Sequence, residues 1–186
     1  MTDVIEGRNP VLEALRSGRP LNRVMIAEGV GQHSAIAEIL HLARASGVPV
    51  EYVPRAVIDR TSATPAHQGV LAYAAAKEYV DLDDLLAVSA KRSEPPLYCI
   101  LDGIEDPHNL GAILRTADAA GIHGVVIRSR RAVGLTPVVA KVSAGAVEYV
   151  PVARVNNISQ AMLDLKKQGV WVVGIDAGGK SDYTNV

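Results

Sequence analysis

Asp106-Pro107-His108-Asn109-Leu110-Gly111-Ala112-Ile113-Leu114-Arg115-Thr116-Ala117-Asp118-Ala119-Ala120-Gly121 directly follows the apolar run Leu97 to Leu101, and together they read as a strand feeding a helix. With a start near Pro107 or Asn109, Leu110, Ile113, Leu114 and Ala117 fall at i, i+3, i+4 and i+7, a single apolar stripe. Arg115 lies off that stripe, on the side occupied by Gly111 and Asp118. A glycine inside a helix costs about 1 kcal/mol relative to alanine, so Gly111 implies that something comes close to the backbone. The reading predicts an open crevice beside the Arg115 guanidinium. Asn109 is placed either to cap the helix or to reach a ligand.

Working outward, the apolar strands Leu97–Leu101, Gly124–Ile127, Tyr149–Val152 and Val170–Ile175 alternate with helical segments, which predicts an α/β fold with a mainly parallel sheet. Thr136-Pro137 and Asn157 mark two of the helix starts, and Gly169 marks a stop. Before Pro96 the pattern is that of a smaller α/β unit: helices over 10–17, 34–46 and from Pro54 to Ile58, with strands over 23–27, 48–53 and 69–75. The charged stretch from Lys77, ending in Pro95-Pro96, reads as the junction, with Leu82, Leu85, Leu86 and Val88 as a short docking helix. Residues 1–76, 77–95 and 96–186 are therefore expected to be a first domain, a linker and a second domain.

Composition narrows the class. The 186 residues are 48% hydrophobic and 21% charged, as in globular proteins, and the absence of Phe leaves the core to Val, Ile, Leu and Ala. Base stacking on several aromatics is thereby disfavoured. No basic leader and no apolar run of roughly 18 residues is present, which predicts a cytoplasmic protein without a membrane span. The single cysteine, Cys99, excludes an internal disulfide and a cysteine-based metal cluster. A net charge of −1 confines any nucleic-acid contact to a local patch, the best candidate being Arg128, Arg130 and Arg131 with Lys141 and Arg154 added by folding.

The pattern Asn109-x-Gly111-x-x-x-Arg115-x-Ala117-x-x-x-Gly121 closely resembles the first motif of the SpoU (TrmH-like) RNA ribose 2′-O-methyltransferases of the SPOUT superfamily. Lys141-Val-Ser143-Ala-Gly145-Ala146-Val-Glu148-Tyr-Val150-Pro151 resembles the second motif of that family, in the right order. Glu6-Gly7-Arg8-Asn9-Pro10 and His67-Gln68-Gly69-Val70 are similar to its substrate-binding domain, a small α/β fold of the ribosomal-protein type (L30e-like). The resemblance thus runs over nearly the whole chain.

What the resemblance implies is methyl transfer from S-adenosylmethionine to a ribose 2′-hydroxyl without a metal, on RNA that is expected to be ribosomal, by a homodimer. Arg115 matches the arginine implicated in activating the hydroxyl. An arginine side chain keeps its proton in proteins and is a poor base, so the preferred role is to hold a backbone phosphate and favour the developing alkoxide. Asn109 would orient the RNA or the arginine. Glu148 would hold motif geometry or pair with a cation near the cofactor. Gly174 and Ile175 at the end of the expected last strand, with Asp176 and Ala177 in the loop after it, lie where α/β folds bind ligands and would meet the cofactor adenosine. Arg8, Asn9, His67 and Gln68 would contact RNA, although Asn9 before Pro10 also reads as a helix cap.

The sequence stops at Ser181-Asp182-Tyr183-Thr184-Asn185-Val186, where relatives continue with a Gly-rich segment containing a glutamate, a Ser/Asn motif and a final helix that together form a trefoil knot. The resemblance therefore implies a methyltransferase domain cut before the knot, with weak cofactor binding and little activity for these residues alone. A competing reading is an RNA-binding protein without catalysis. A nucleotide-dependent small-molecule enzyme is disfavoured, because the first turn, Asp102-Gly103-Ile104-Glu105-Asp106, lacks the G-x-G-x-x-G phosphate cradle.

Overall fold

The computed structural model describes residues 2–31, 33–176 and 178–179, which form two sheets flanked by helices. In chain order the elements are β1 (Thr2–Glu6), α1 (Arg8–Arg16), β2 (Leu21–Ala27), α2 (Ser34–Ala45), β3 (Val50–Val53), α3 (Arg55–Thr61), β4 (Val70–Ala75), α4 (Leu82–Arg92), β5 (Tyr98–Leu101), α5 (Pro107–Ala119), β6 (Gly124–Arg128), α6 (Pro137–Val142), a 3₁₀ turn (Ala146–Glu148), β7 (Val152–Val155) and α7 (Ile158–Lys167).

The first sheet runs β1-β4-β2-β3, with β4 antiparallel to both neighbours and β3 parallel to β2. Alternation along β2 sends Val24 and Ile26 to the face covered by α1 and α2, where they pack with Val11, Leu15 and Ile39. Met25 and Ala27 go to the opposite face, under Ile58 of α3. Strand β1 was not legible from its own five residues, because its extended state depends on pairing Thr2 to Glu6 against Ala75 to Leu71 of β4.

The second sheet is β5-β6-β7, entirely parallel, so each connection crosses over through a helix. Strand β6 is central and buried, with Val125 and Ile127 packed under Leu110 and Leu114 of α5. On its other face Val126 meets Leu85 of α4 and Ile158 of α7. The stretch predicted to dock, Leu82 to Val88, is that α4 helix. Cys99 sits half-buried on β5, where burial pushes its thiol above the ordinary range.

Two strands differ from expectation. The third parallel strand is Val152–Val155 rather than Tyr149–Val152, because Tyr149 and Val150 are drawn into the turn after the 3₁₀ segment and Pro151 has no N–H for a ladder. The expected strand Val170–Ile175 makes no ladder among the described residues: Trp171 is 94% and Ile175 84% exposed. Its alternating pattern specifies two faces but not a partner, and a strand forms only when paired. No helix among the described residues is long and apolar enough to cross a membrane.

Candidate functional site

Helix α5 starts at Asp106, whose Oδ1 accepts from the His108 N–H at 2.7 Å, with Pro107 in the first turn. Asn109 therefore is not the cap. Its side chain stays exposed and makes no hydrogen bond among the described residues. Asp106→Ala is expected to cost about 1 kcal/mol, read as a lowered urea midpoint, because one N-terminal N–H loses its acceptor. Six residues separate Asn109 from Arg115, roughly 9 Å along the axis and on different sides, so the two do not meet directly.

Gly111 is buried, and a Cβ there would lie 2.7 Å from Val142 Cβ and 3.2 Å from the Ser143 nitrogen. Something does come close to the backbone, namely α6. The crevice expected beside Arg115 at Gly111 is consequently filled, because close packing of α5 on α6 uses that space. The groove that Arg115 does line lies across the second motif. It has a volume of about 370 Å³, with Glu13, Asp118, Ser143, Gly145 and Tyr149 among its walls.

The Arg115 side chain is exposed, and among the described residues it has no hydrogen bond or ion pair. Its neighbours are engaged elsewhere. The Tyr149 hydroxyl donates to Glu13 Oε2 at 2.7 Å, and Glu13 Oε1 accepts from Arg16 Nη1 at 2.7 Å. Gly145, at φ 98°, lets α1 close on this turn, since a Cβ would sit 2.4 Å from Glu13 Cγ. Partial burial, and then the Glu13 hydrogen bond, push the Tyr149 hydroxyl up to about 12. A raised phenol favours the fold in its neutral form, so this contribution is complete below the ordinary value of ~10 and is lost as pH climbs through 12. Tyr149→Phe should flatten that part of the urea midpoint profile between pH 10 and 12.

Glu148 faces the other way. Its side chain is only 2% exposed, held by Arg19 Nη1 at 2.7 Å and Lys77 Nζ at 3.4 Å, and it lines a separate cavity at the junction of the two sheets. The structure brings Tyr149, not Glu148, to Arg115. Sequence reasoning missed Glu13, Arg19, Lys77 and Tyr149. Arg19 and Glu148 are 129 residues apart, and no spacing rule connects them.

The expected RNA-facing residues divide. His67 is 2% exposed; its Nδ1 accepts from the Gly69 N–H at 3.0 Å, and Nε2 lies 2.8 Å from Asp59. Both ring nitrogens thus hold the turn together and none faces outward. Arg8 is fastened to Gln68, through its Nε to the Gln68 carbonyl at 3.3 Å. Asn9 is exposed in the first turn of α1 and is not its cap, which is Gly7. Lys141 donates to Thr64 Oγ1, whose hydroxyl donates to the buried Glu6 at 2.7 Å, so it joins the halves. Arg128 pairs with Asp102 at 3.2 Å. Arg130 and Arg131 are exposed and unpaired among the described residues. Their loop is pinned by Arg154 to the Ser129 carbonyl at 2.8 Å and by the Leu135 N–H to the Tyr79 hydroxyl at 2.8 Å.

Of the expected cofactor residues, Gly174, Ile175 and Asp176 are exposed after α7, and Ala177 lies outside the described residues. They do not follow a described strand, which corrects the expected placement. Asp176 closes a small turn, its Oδ1 accepting from the Gly178 N–H at 2.7 Å.

Comparison with known proteins places this geometry. Residues 96–186 match the SpoU rRNA Methylase family, and residues 4–80 match the family described as RNA 2′-O ribose methyltransferase substrate binding. The chain is 47% identical over 184 residues to the putative TrmH family tRNA/rRNA methyltransferase YacO of Bacillus subtilis (strain 168), covering 99% of this chain and 73% of that protein. It superposes on the AdoMet-bound rRNA methyltransferase from Sinorhizobium meliloti with a TM-score of 0.68 and 25% identity, over 89% of this chain. AviRb of Streptomyces viridochromogenes with AdoMet, at TM-score 0.69 and 21% identity over 90% of this chain, shares the fold. The chain spans 58% of the first solved chain and 59% of the second.

Proposed function

The chain belongs to the SpoU (TrmH-like) methyltransferase family, and on that premise we propose that it methylates a ribose 2′-hydroxyl of RNA, ribosomal RNA being the favoured substrate, as a homodimer. The methyl donor is S-adenosylmethionine, which a structural neighbour at 25% identity binds. Gly174, Ile175 and Asp176 fit as one wall of its site: among the described residues the Gly174 and Ile175 backbones make no hydrogen bond, leaving donors and acceptors for an adenine edge. When bound, the donor supplies a methyl group on a positively charged sulfur.

The observation that carries the reading is Arg115, unpaired among the described residues in a groove walled by the second motif. A guanidinium kept free of internal partners can grip a phosphate through two parallel N–H donors. Held there, it stabilises negative charge developing on the ribose oxygen, while the phosphate or a water takes the proton. Placement of the RNA supplies the rest of the rate. Arg130 and Arg131, exposed in the loop after β6, offer separate phosphate contacts, and Arg8, Asn9 and Gln68 offer contacts on the first sheet's side. His67 positions Gln68.

The test is transfer of labelled methyl to ribosomal and transfer RNA by the full-length protein, followed by digestion and mass spectrometry. A 2′-O-methylnucleoside from ribosomal RNA is expected. Label on a base overturns the ribose reading, label in transfer RNA alone overturns the substrate, and binding without label leaves the chain an RNA-binding protein.

A further inference from the structure

Arg19 lies in the turn between α1 and β2, which the sequence does not single out for chemistry, yet its side chain is only 7% exposed. Its Nη1 donates to Glu148 Oε1 at 2.7 Å; its Nη2 donates to Asp3 Oδ2 at 2.9 Å and to the Ala75 carbonyl at 2.6 Å. Lys77 completes the cluster from the chain between the sheets. Its Nζ donates to the Glu148 carbonyl at 3.1 Å, and its backbone N–H donates to Asp3 Oδ2 at 3.1 Å. Two cations and two carboxylates thus close on one another, with no buried side-chain nitrogen or oxygen left without a partner among the described residues.

Such a cluster is a poor explanation of stability. Removing two charges from water costs about as much as their attraction returns, and apolar side chains of similar volume would hold the junction equally well. What the charges add is direction. Asp3 and Ala75 belong to the adjacent strands β1 and β4, whereas Glu148 ends the 3₁₀ turn whose next residue, Tyr149, walls the Arg115 groove and donates to Glu13 of α1. The second-motif turn is therefore gripped on both sides by the N-terminal half, through Glu148 to Arg19 and through Tyr149 to Glu13. Apolar packing tolerates sliding; three N–H donors from one planar guanidinium do not.

We propose that Arg19 is a positioning residue: with Glu148, Lys77 and Asp3 it forms a clasp that sets the angle between the two halves, so that RNA held on the N-terminal half reaches Arg115 in register. The proposal rests on the reading that the N-terminal half holds RNA. It assigns to Glu148 a role in registering substrate instead of contact with the reacting atoms. An RNA that must engage both halves at once binds less readily when their angle is loose, so a clasp remote from the chemistry shows in KM for an RNA long enough to span both.

The experiment compares the full-length wild type with Arg19→Met, Arg19→Lys and Lys77→Met in two measurements. The first is the distance distribution between spin labels at Ala45→Cys and Gln168→Cys in a Cys99→Ser background. The second is methyl transfer to a long ribosomal RNA and to a short fragment spanning only the modified nucleotide and its neighbours. Arg19→Met should broaden the distance distribution and raise KM for the long RNA by about tenfold or more, with kcat within about twofold and the short fragment unaffected. Arg19→Lys should restore part of the loss, and Lys77→Met should move both readouts in the same direction by less. If Arg19→Met fails to fold, those two variants carry the decision. A narrow wild-type distribution in the variants, or equal losses on both RNAs, overturns the clasp. Should the wild type methylate neither RNA, the functional reading fails, and the distance distribution still judges the clasp.

Discussion

Arg115→Ala is expected to lower methyl transfer by the full-length protein about 10²–10³-fold, the usual cost of deleting one donor aimed at developing negative charge. Stability should change by no more than ~0.5 kcal/mol, because the side chain is exposed and makes no hydrogen bond or ion pair among the described residues. This separation makes the result interpretable: a folded protein with a normal urea midpoint that no longer transfers methyl groups has lost chemistry and not structure. Arg115→Lys keeps the charge but loses the planar pair of donors, so it should recover only a small part of the rate. Single-turnover kinetics beside an RNA-binding titration distinguishes the roles. If affinity falls and transfer per bound complex is unchanged, Arg115 is a phosphate anchor remote from the reacting oxygen. Wild-type transfer in the alanine variant would move the active site elsewhere.

Gly111→Val is expected to destabilise the protein by about 2–3 kcal/mol, measured as a lower urea midpoint with unchanged slope. Two opposing effects have to be weighed. Valine is a better helix former than glycine by a few tenths of a kcal/mol, which by itself would stabilise α5. Against that, even a bare Cβ would stand 2.7 Å from Val142 Cβ, 2.8 Å from Val142 Cγ1 and 3.2 Å from the Ser143 backbone nitrogen. The two extra methyls of valine add to a collision with a side-chain stem and with backbone, neither of which is a flexible end that can swing away. The steric term therefore wins. Relief requires α6 to move off α5, taking Ser143 and the turn that walls the Arg115 groove with it. Methyl transfer should fall further than the loss of folded protein accounts for. A variant as stable as wild type would show that α6 is not seated against Gly111.

Much of this architecture could be read from residues in order. The stripe Leu110, Ile113, Leu114 and Ala117 announced α5, and Thr136 and Asn157 announced the starts of α6 and α7, which they do cap, through the Val139 and Gln160 N–H groups. The apolar runs at 97–101 and 124–127 became adjacent parallel strands. These features are local: a helical face, a cap or a buried strand is specified by side chains a few positions apart. Gly111 shows the limit of such signals, since its presence announced a close approach without saying what approaches. Reading it as the floor of an open crevice failed because the partner, α6, lies some thirty residues further along.

What the sequence determined by itself is thus the alternation of elements, the face each one buries, and the two motifs that mark the family. Only the tertiary structure decided that Tyr149 instead of Glu148 turns toward Arg115, that His67 folds inward, that Thr2–Glu6 becomes a strand, and that Val170–Ile175 gains no ladder among the described residues. The physical reason is common to all four. Pairing of a strand, an ion pair across 129 positions, or the burial of an imidazole is a property of two segments at once. Residue order constrains each segment's own preferences, whereas only the packed chain determines which second segment satisfies its hydrogen bonds and charges.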